Sequence, residues 1–184
     1  MATPEVQAAY EKVVSAKAEL LAAIRAGGPE PVDDWTLHDL NGAPVTLREL
    51  FGEHRDLLVV HNMGAFCSYC TLWADGFRGF TEHIERRCAF VLCSDDPPAT
   101  VKKHAESRGW NFRCVSGHES GFAHAMGYKT RDGKQLPGVS AFYKNADGSV
   151  SRISHSPFGP GDDFCAVWPL FDLLKDRHAG WTPK

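Results

Sequence analysis

DLLVVHNMGAFCSYCTLWADGFRGF, residues 56 to 80, is where the chain declares its architecture. The first eight residues are an apolar run without proline, of strand length and bounded by turn-forming residues, so they read as a buried strand. A short loop, GAF, follows. CSYC comes next, and CTLWADGFRGFTEHIERR then reads as one helix with Trp73, Phe77, Phe80 and Ile84 on a single stripe. A strand, a short loop and a helix in succession place Cys67 at the carboxyl end of a central strand, where open α/β sheets hold their sites.

That position bears on chemistry. The thiolate is the reactive form of cysteine, and a helix N-terminus lowers the thiol pKa through its free N–H groups and its dipole. Cys67 stands where the helix should begin, and Cys70 lies one turn on, on the same face. Cys67 is thus the expected nucleophile, exposed at the surface. Cys70 is the more buried thiol that would resolve a mixed disulfide. His61, six residues before Cys67, is a candidate to point under the loop and take the proton of Cys70; the alternative is a core histidine bonded to backbone. Pro137 heads a strand, GVSAFYK, and is expected to face the cysteine loop across the sheet end.

Working outward, the elements alternate. Residues 4 to 26 read as one helix started by Thr3-Pro4 and stopped by Gly27-Gly28. It carries Val6, Tyr10, Val13, Val14, Leu20, Leu21 and Ile24 at helical spacing, interrupted by Lys17, and the stripe can pack on the domain or on a second subunit, as in a homodimer. GGPEPVDD reads as a linker. DWTLHDL and APVTL form a hairpin about Asn41-Gly42, and LRELFGEH a short helix. CAFVLCS is a strand, DDPPATVKKHAESRG a loop and helix, NFRCVS a strand, and HESGFAHAMGY a helical turn. GVSAFYKN and SVSRISH are strands joined at Ala146-Asp147-Gly148. Residues 161 to 178 read as a last helix that Pro169 kinks or delays to Trp168. The whole is an α/β sandwich with a mixed sheet. Residues 1–29 are a helical extension with its linker, and residues 30–184 are the domain.

Composition narrows the function classes. The formal net charge is -3 and basic residues are scattered, so there is no nucleic-acid footprint. No apolar run approaches the ~20 residues of a membrane span, and no secretory leader is legible. The expected location is the cytoplasm, where thiols stay reduced, so six cysteines do not imply three structural disulfides. Cys88, Cys93, Cys114 and Cys165 are expected to pack as small hydrophobes. CSYC has no second CxxC or CxxH, so no metal is expected. Neither a dinucleotide nor a P-loop motif occurs, so no nucleotide cofactor is expected.

HNMGAFCSYCTLWADGFRGFTEHIERR, SRGWNFRCVSG and LPGVSAFYK together resemble the bacterial thioredoxin-like group called domain of unknown function 899. The hairpin WTLHDLNGAPVTLRELFG resembles the N-terminal extension of peroxiredoxins. The resemblance spans residues 30 to 178 and implies a thioredoxin-like three-layer α/β/α fold. It implies Cys67 as nucleophile, Cys70 as resolving cysteine and Pro137 as a cis-proline, with Phe66, Ser68, Tyr69, Leu136 and Pro137 lining the substrate. The centre would be the redox-active Cys67–Cys70 disulfide, with no other cofactor. Its partners would be a disulfide-containing protein or a small-molecule oxidant, and an external dithiol reductant. Ser68-Tyr69 and Phe66 replace the Gly-Pro and Trp of thioredoxins, and GAFC lacks the Pro and Thr that lead into a peroxiredoxin cysteine. The expected function is thiol–disulfide exchange. Thiol peroxidase is the second reading, and a non-catalytic interaction module the third.

Overall fold

The computed structural model describes residues 3–184. Eight strands form one mixed sheet: β1 Glu30–Val32, β2 Thr36–His38, β3 Pro44–Thr46, β4 Asp56–Asn62, β5 Ala89–Ser94, β6 Arg113–Ser116, β7 Gly138–Lys144 and β8 Val150–Pro157. Their spatial order is β1-β8-β7-β4-β5-β6-β2-β3. β4, β5 and β6 run parallel, and every other neighbour is antiparallel. The apolar run of the opening stretch is β4, in the middle of the sheet and covered on both faces, which is why it carries apolar residues on both faces instead of alternating.

Parity along β4 assigns the two layers. Leu57 and Val59 face a core built with Leu37, Leu47, Phe51, Val115 and Phe122, from the hairpin, a 3₁₀ turn at Glu49–Phe51 and helix α5 Phe122–Ala125. Leu58 and Val60 face the opposite core with Trp73, Val101, Ala105 and Trp168. Those residues come from α2 Ser68–Phe77, α4 Pro98–Arg108 and α6 Val167–Phe171. The result is the expected three-layer α/β/α sandwich.

Helix α1, Pro4–Ala26, keeps the expected limits, with the Thr3 hydroxyl accepting the Val6 N–H at 3.4 Å. None of its residues is buried. Four expectations need correction. The linker segment contributes an edge strand: β1 pairs antiparallel with β8, and Arg152 holds Glu30 across the pair at 2.6 Å. The long helix after CSYC is two helices, α2 and α3 (Thr81–Glu85). It breaks at Arg78-Gly79-Phe80, where the Thr81 hydroxyl bonds Asn111 and Phe80 turns out to solvent at 54% exposure. The last helix shrinks to α6, with Pro169 inside its first turn and turns beyond Phe171. Cys88 precedes β5 and Cys165 precedes α6, yet both stay buried, as do all six cysteines, and all six are free thiols.

Candidate active site

Backbone geometry builds the Cys67 loop before any side chain acts. The Asn62 amide oxygen accepts the Gly64 N–H at 2.8 Å, an Asx turn that ends β4. Gly64 takes φ +134°, and its carbonyl accepts the Cys67 N–H at 3.1 Å. Asp96, from the loop after β5, accepts the Ala65 N–H at 2.7 Å. A Cβ on Gly64 would lie 2.9 Å from Asp96 Oδ1. Gly64→Ala is therefore expected to cost about 2 kcal/mol in urea unfolding, from backbone strain and from displacing Asp96. A cost below about 0.5 kcal/mol would show that the loop relaxes freely.

Cys67 is the N-cap of α2, and its Sγ accepts the Cys70 N–H at 3.1 Å. The Cys70 thiol is the largest influence on it, donating to Cys67; the backbone N–H groups of Cys70 and Tyr69 add to this, and burial opposes it. The net effect brings the Cys67 thiol down to about 6. Cys70 moves the opposite way, because donating to Cys67 and being buried both favour its protonated form. One proton is thus held between the two sulfurs, on Cys70. The other four thiols are all raised, Cys93 and Cys114 to about 12, with burial the leading cause in each. Cys67 was expected to be exposed. It retains only 7% of its surface, while Phe66 beside it is 73% exposed.

The first turn of α2 is braced from behind. The Thr71 hydroxyl donates to the Cys67 carbonyl at 3.1 Å and lies 3.1 Å from His104 Nε2 on α4. Asp75, one turn on, is held by Arg108 and by the Trp110 indole N–H at 2.9 Å, so the WADGF carboxylate ties α2 to α4. Asn62 is not among the sequence candidates; the Asn-x-Gly spacing is the signal that marks it as a partner of Gly64. Asp96, Thr71 and His104 come together only through the sheet, and no local pattern marks them.

The remaining candidates divide. Ser68 and Tyr69 are both half-buried, and Tyr69 stacks on Trp168 with ring centroids 6.2 Å apart and tilts against Trp73 at 6.3 Å. His61 departs from its expected place. It shares the parity of Leu57 and Val59, so its ring lies on the sheet face away from α2 and is not beside Cys70. There it stacks on Tyr128 at 3.9 Å, with Nε2 2.9 Å from the Ser140 hydroxyl. Burial foremost, then the charges of Arg152 and His155, brings it down to about 3, so it is neutral. Pro137 does stand at the Cys67 end of the sheet, since the next residue, Gly138, pairs with His61. Its peptide is trans, because no described residue is cis. An extended approach keeps β7 in register with β8, and the Pro137 carbonyl accepts the Phe158 N–H at 3.0 Å. Leu136 and Pro137 line a groove of about 380 Å³ with His124, Tyr128, His155 and Phe158. No group of three or more metal-ligating side chains occurs among the described residues, and no described helix is long and apolar enough to cross a membrane.

Solved structures share this fold. The peroxidoxin BcpB from Mycobacterium tuberculosis is 26% identical, with a TM-score of 0.57 over 71% of this chain and 84% of that one. Reduced Prx3 in complex with H2O2 from Vibrio vulnificus is 14% identical, with a TM-score of 0.59 over 73% and 89%. An uncharacterized conserved protein from Geobacillus kaustophilus is 15% identical, with a TM-score of 0.52 over 73% and 70%. No curated protein matches the sequence. The model of a family described as bacterial protein of unknown function (DUF899) matches residues 5–179. With its peroxiredoxin-like sheet and that match along most of its length, the chain belongs to the DUF899 family, within the thioredoxin-like superfamily.

Proposed function

We propose that the protein is a thiol–disulfide oxidoreductase whose centre is the Cys67–Cys70 pair. The observation that carries this is the division of labour between the two sulfurs: Cys67, at the α2 N-cap, is brought to about 6, and Cys70, one turn on, holds the proton. At neutral pH Cys67 is mostly thiolate while Cys70 stays protonated.

The thiolate of Cys67 attacks one sulfur of a substrate disulfide. The S–S bond breaks, a mixed disulfide forms, and the departing thiolate takes a proton from solvent. Cys70 then gives up its proton and attacks Cys67 Sγ, releasing the second substrate thiol. The substrate gains two electrons and two protons, and the protein is left with a Cys67–Cys70 disulfide. Residues three apart in a helix are within the Cα span that such a bridge needs. An external dithiol returns the pair to the reduced form. His61 takes no part, since its ring lies across the sheet from α2.

A second reading is hydroperoxide reduction, supported by the peroxiredoxin-like fold. Cys67 would attack the O–O bond to give a sulfenic acid and an alcohol or water, and Cys70 would condense with it, releasing water. Stopped-flow oxidation of the reduced protein separates the two. The expected result is faster reaction with a small disulfide than with hydrogen peroxide, rising with pH to half its plateau near pH 6 as Cys67 ionises. Faster reaction with peroxide would favour the second reading, and a midpoint near pH 8.5 would remove the activated nucleophile from both.

A further inference from the structure

Helix α1 is 23 residues long, and its apolar side chains face solvent: Val14 at 67%, Tyr10 at 62%, Leu20 at 61% and Val13 at 50% exposure. Helices in proteins draw most of their stability from burying such a face. It touches the domain along its second half, where Lys17 pairs with Asp163 at 2.7 Å and Ile24 lines a cavity with Ile153 of β8. We infer that α1 is a dimerisation helix, and that its apolar face is covered by α1 of a second copy of this chain, running antiparallel.

The spacing supplies the first argument. Val6, Tyr10, Val13, Lys17, Leu20 and Ile24 step by four and three alternately, the two-faced repeat of a helix–helix seam. A two-fold axis at the level of Ser15, the middle of Pro4–Ala26, matches this seam to itself. Val6 then meets Ile24 of the second copy, Tyr10 meets Leu20, and Val13 meets Lys17. Lys17 reaches Asp163 of its own chain, so its ammonium is already drawn off the seam and its stem can lie along it. Val14 and Leu21 widen the apolar face on one side of the seam, and Ala9, Ala16 and Ala23 let the helices approach on the other.

Charge supplies the second. Glu5, Glu11 and Lys12 leave the first half of the helix with a formal charge of -1, and Lys17, Glu19 and Arg25 leave the second half with +1. Antiparallel pairing sets the halves of opposite sign against each other, brings Glu5 level with Arg25, and opposes the two macrodipoles. The same balance argues against an anionic lipid surface, which selects a polar face rich in Lys and Arg. A stable interface buries about 800 Å² per partner. A helix about 35 Å long with eight seam and flanking side chains is of that order.

Light scattering on the full-length reduced protein tests this. The expected mass is twice the 20.3 kDa of the chain. The double variant Val13→Glu, Leu20→Glu is expected to be monomeric, whereas Ala8→Gln, an uncharged change on the outer face, should remain dimeric. The near-UV spectrum of the core aromatics reports that each variant is folded. A monomeric wild type overturns the inference, and so does a dimer that survives the double variant. A monomeric wild type that floats with phosphatidylglycerol vesicles would assign the face to a lipid surface instead.

Discussion

Cys67→Ser is expected to lower the rate of disulfide exchange by about 10³-fold or more, the order of loss that follows removal of a nucleophile. Serine keeps the N-cap acceptor, so α2 should start at the same residue and the variant should unfold within about 0.5 kcal/mol of the wild type. Cys70 variants should fail differently. Cys70→Ser retains a donor to Cys67 and removes the resolving sulfur, so the first attack proceeds and the mixed disulfide accumulates, visible as a mass adduct on one thiol. Cys70→Ala also removes the donor that does most to lower Cys67, so the titration midpoint should move up from about 6 toward an ordinary thiol. If Cys67→Ser retained full disulfide exchange, the reading as an oxidoreductase at this site would fail, and a thioredoxin-like fold kept for interaction alone would be favoured.

The second large effect is on stability. Gly138→Ala is expected to cost about 3 kcal/mol, at the upper end for overpacking. A Cβ there would lie 2.3 Å from Tyr128 Cε1 and 2.5 Å from the Ser156 carbonyl oxygen. Neither neighbour can give way cheaply. Ser156 is backbone in β8, and the Tyr128 hydroxyl is fixed at 2.9 Å from the Val139 carbonyl while its ring stacks on His61. The strain would pass from β7 into β4 through that stack. Urea denaturation followed by tryptophan fluorescence measures it, and a cost under 1 kcal/mol would mean that the strands separate more easily than their register suggests.

Much of this was legible in the sequence, for reasons that differ by element. β4 and β5 are apolar runs of strand length, and Asn41-Gly42 turns the hairpin because a local signal was enough. Cys67 as the first cap of α2 followed from strand, loop and helix in succession. Three features resisted because their causes are not local. The helix break after Phe77 depends on Asn111, thirty residues away, which takes the Thr81 hydroxyl. β1 is a strand only because β8 leaves it an edge to pair with. The direction of His61 was half legible. Alternation put it with Leu57 and Val59, but which parity looks toward α2 depends on how the helices cross the sheet. The trans peptide at Pro137 corrects an expectation that came from the resemblance, not from the residues.

Cys67 is almost wholly buried while Phe66 stands out beside it, so reagents are expected to react at rates that fall with their bulk. Ionisation and backbone position belong to different parts of the loop: the α2 N-terminus and Cys70 lower the Cys67 thiol, and Asp96 holds the Gly64-Ala65 backbone beside it. A small reagent therefore meets a barrier fixed by pH alone. A bulky one is expected to react more slowly at every pH. Selection by size would then lie in the resting shape of the protein, ahead of any contact that a substrate makes with its surface.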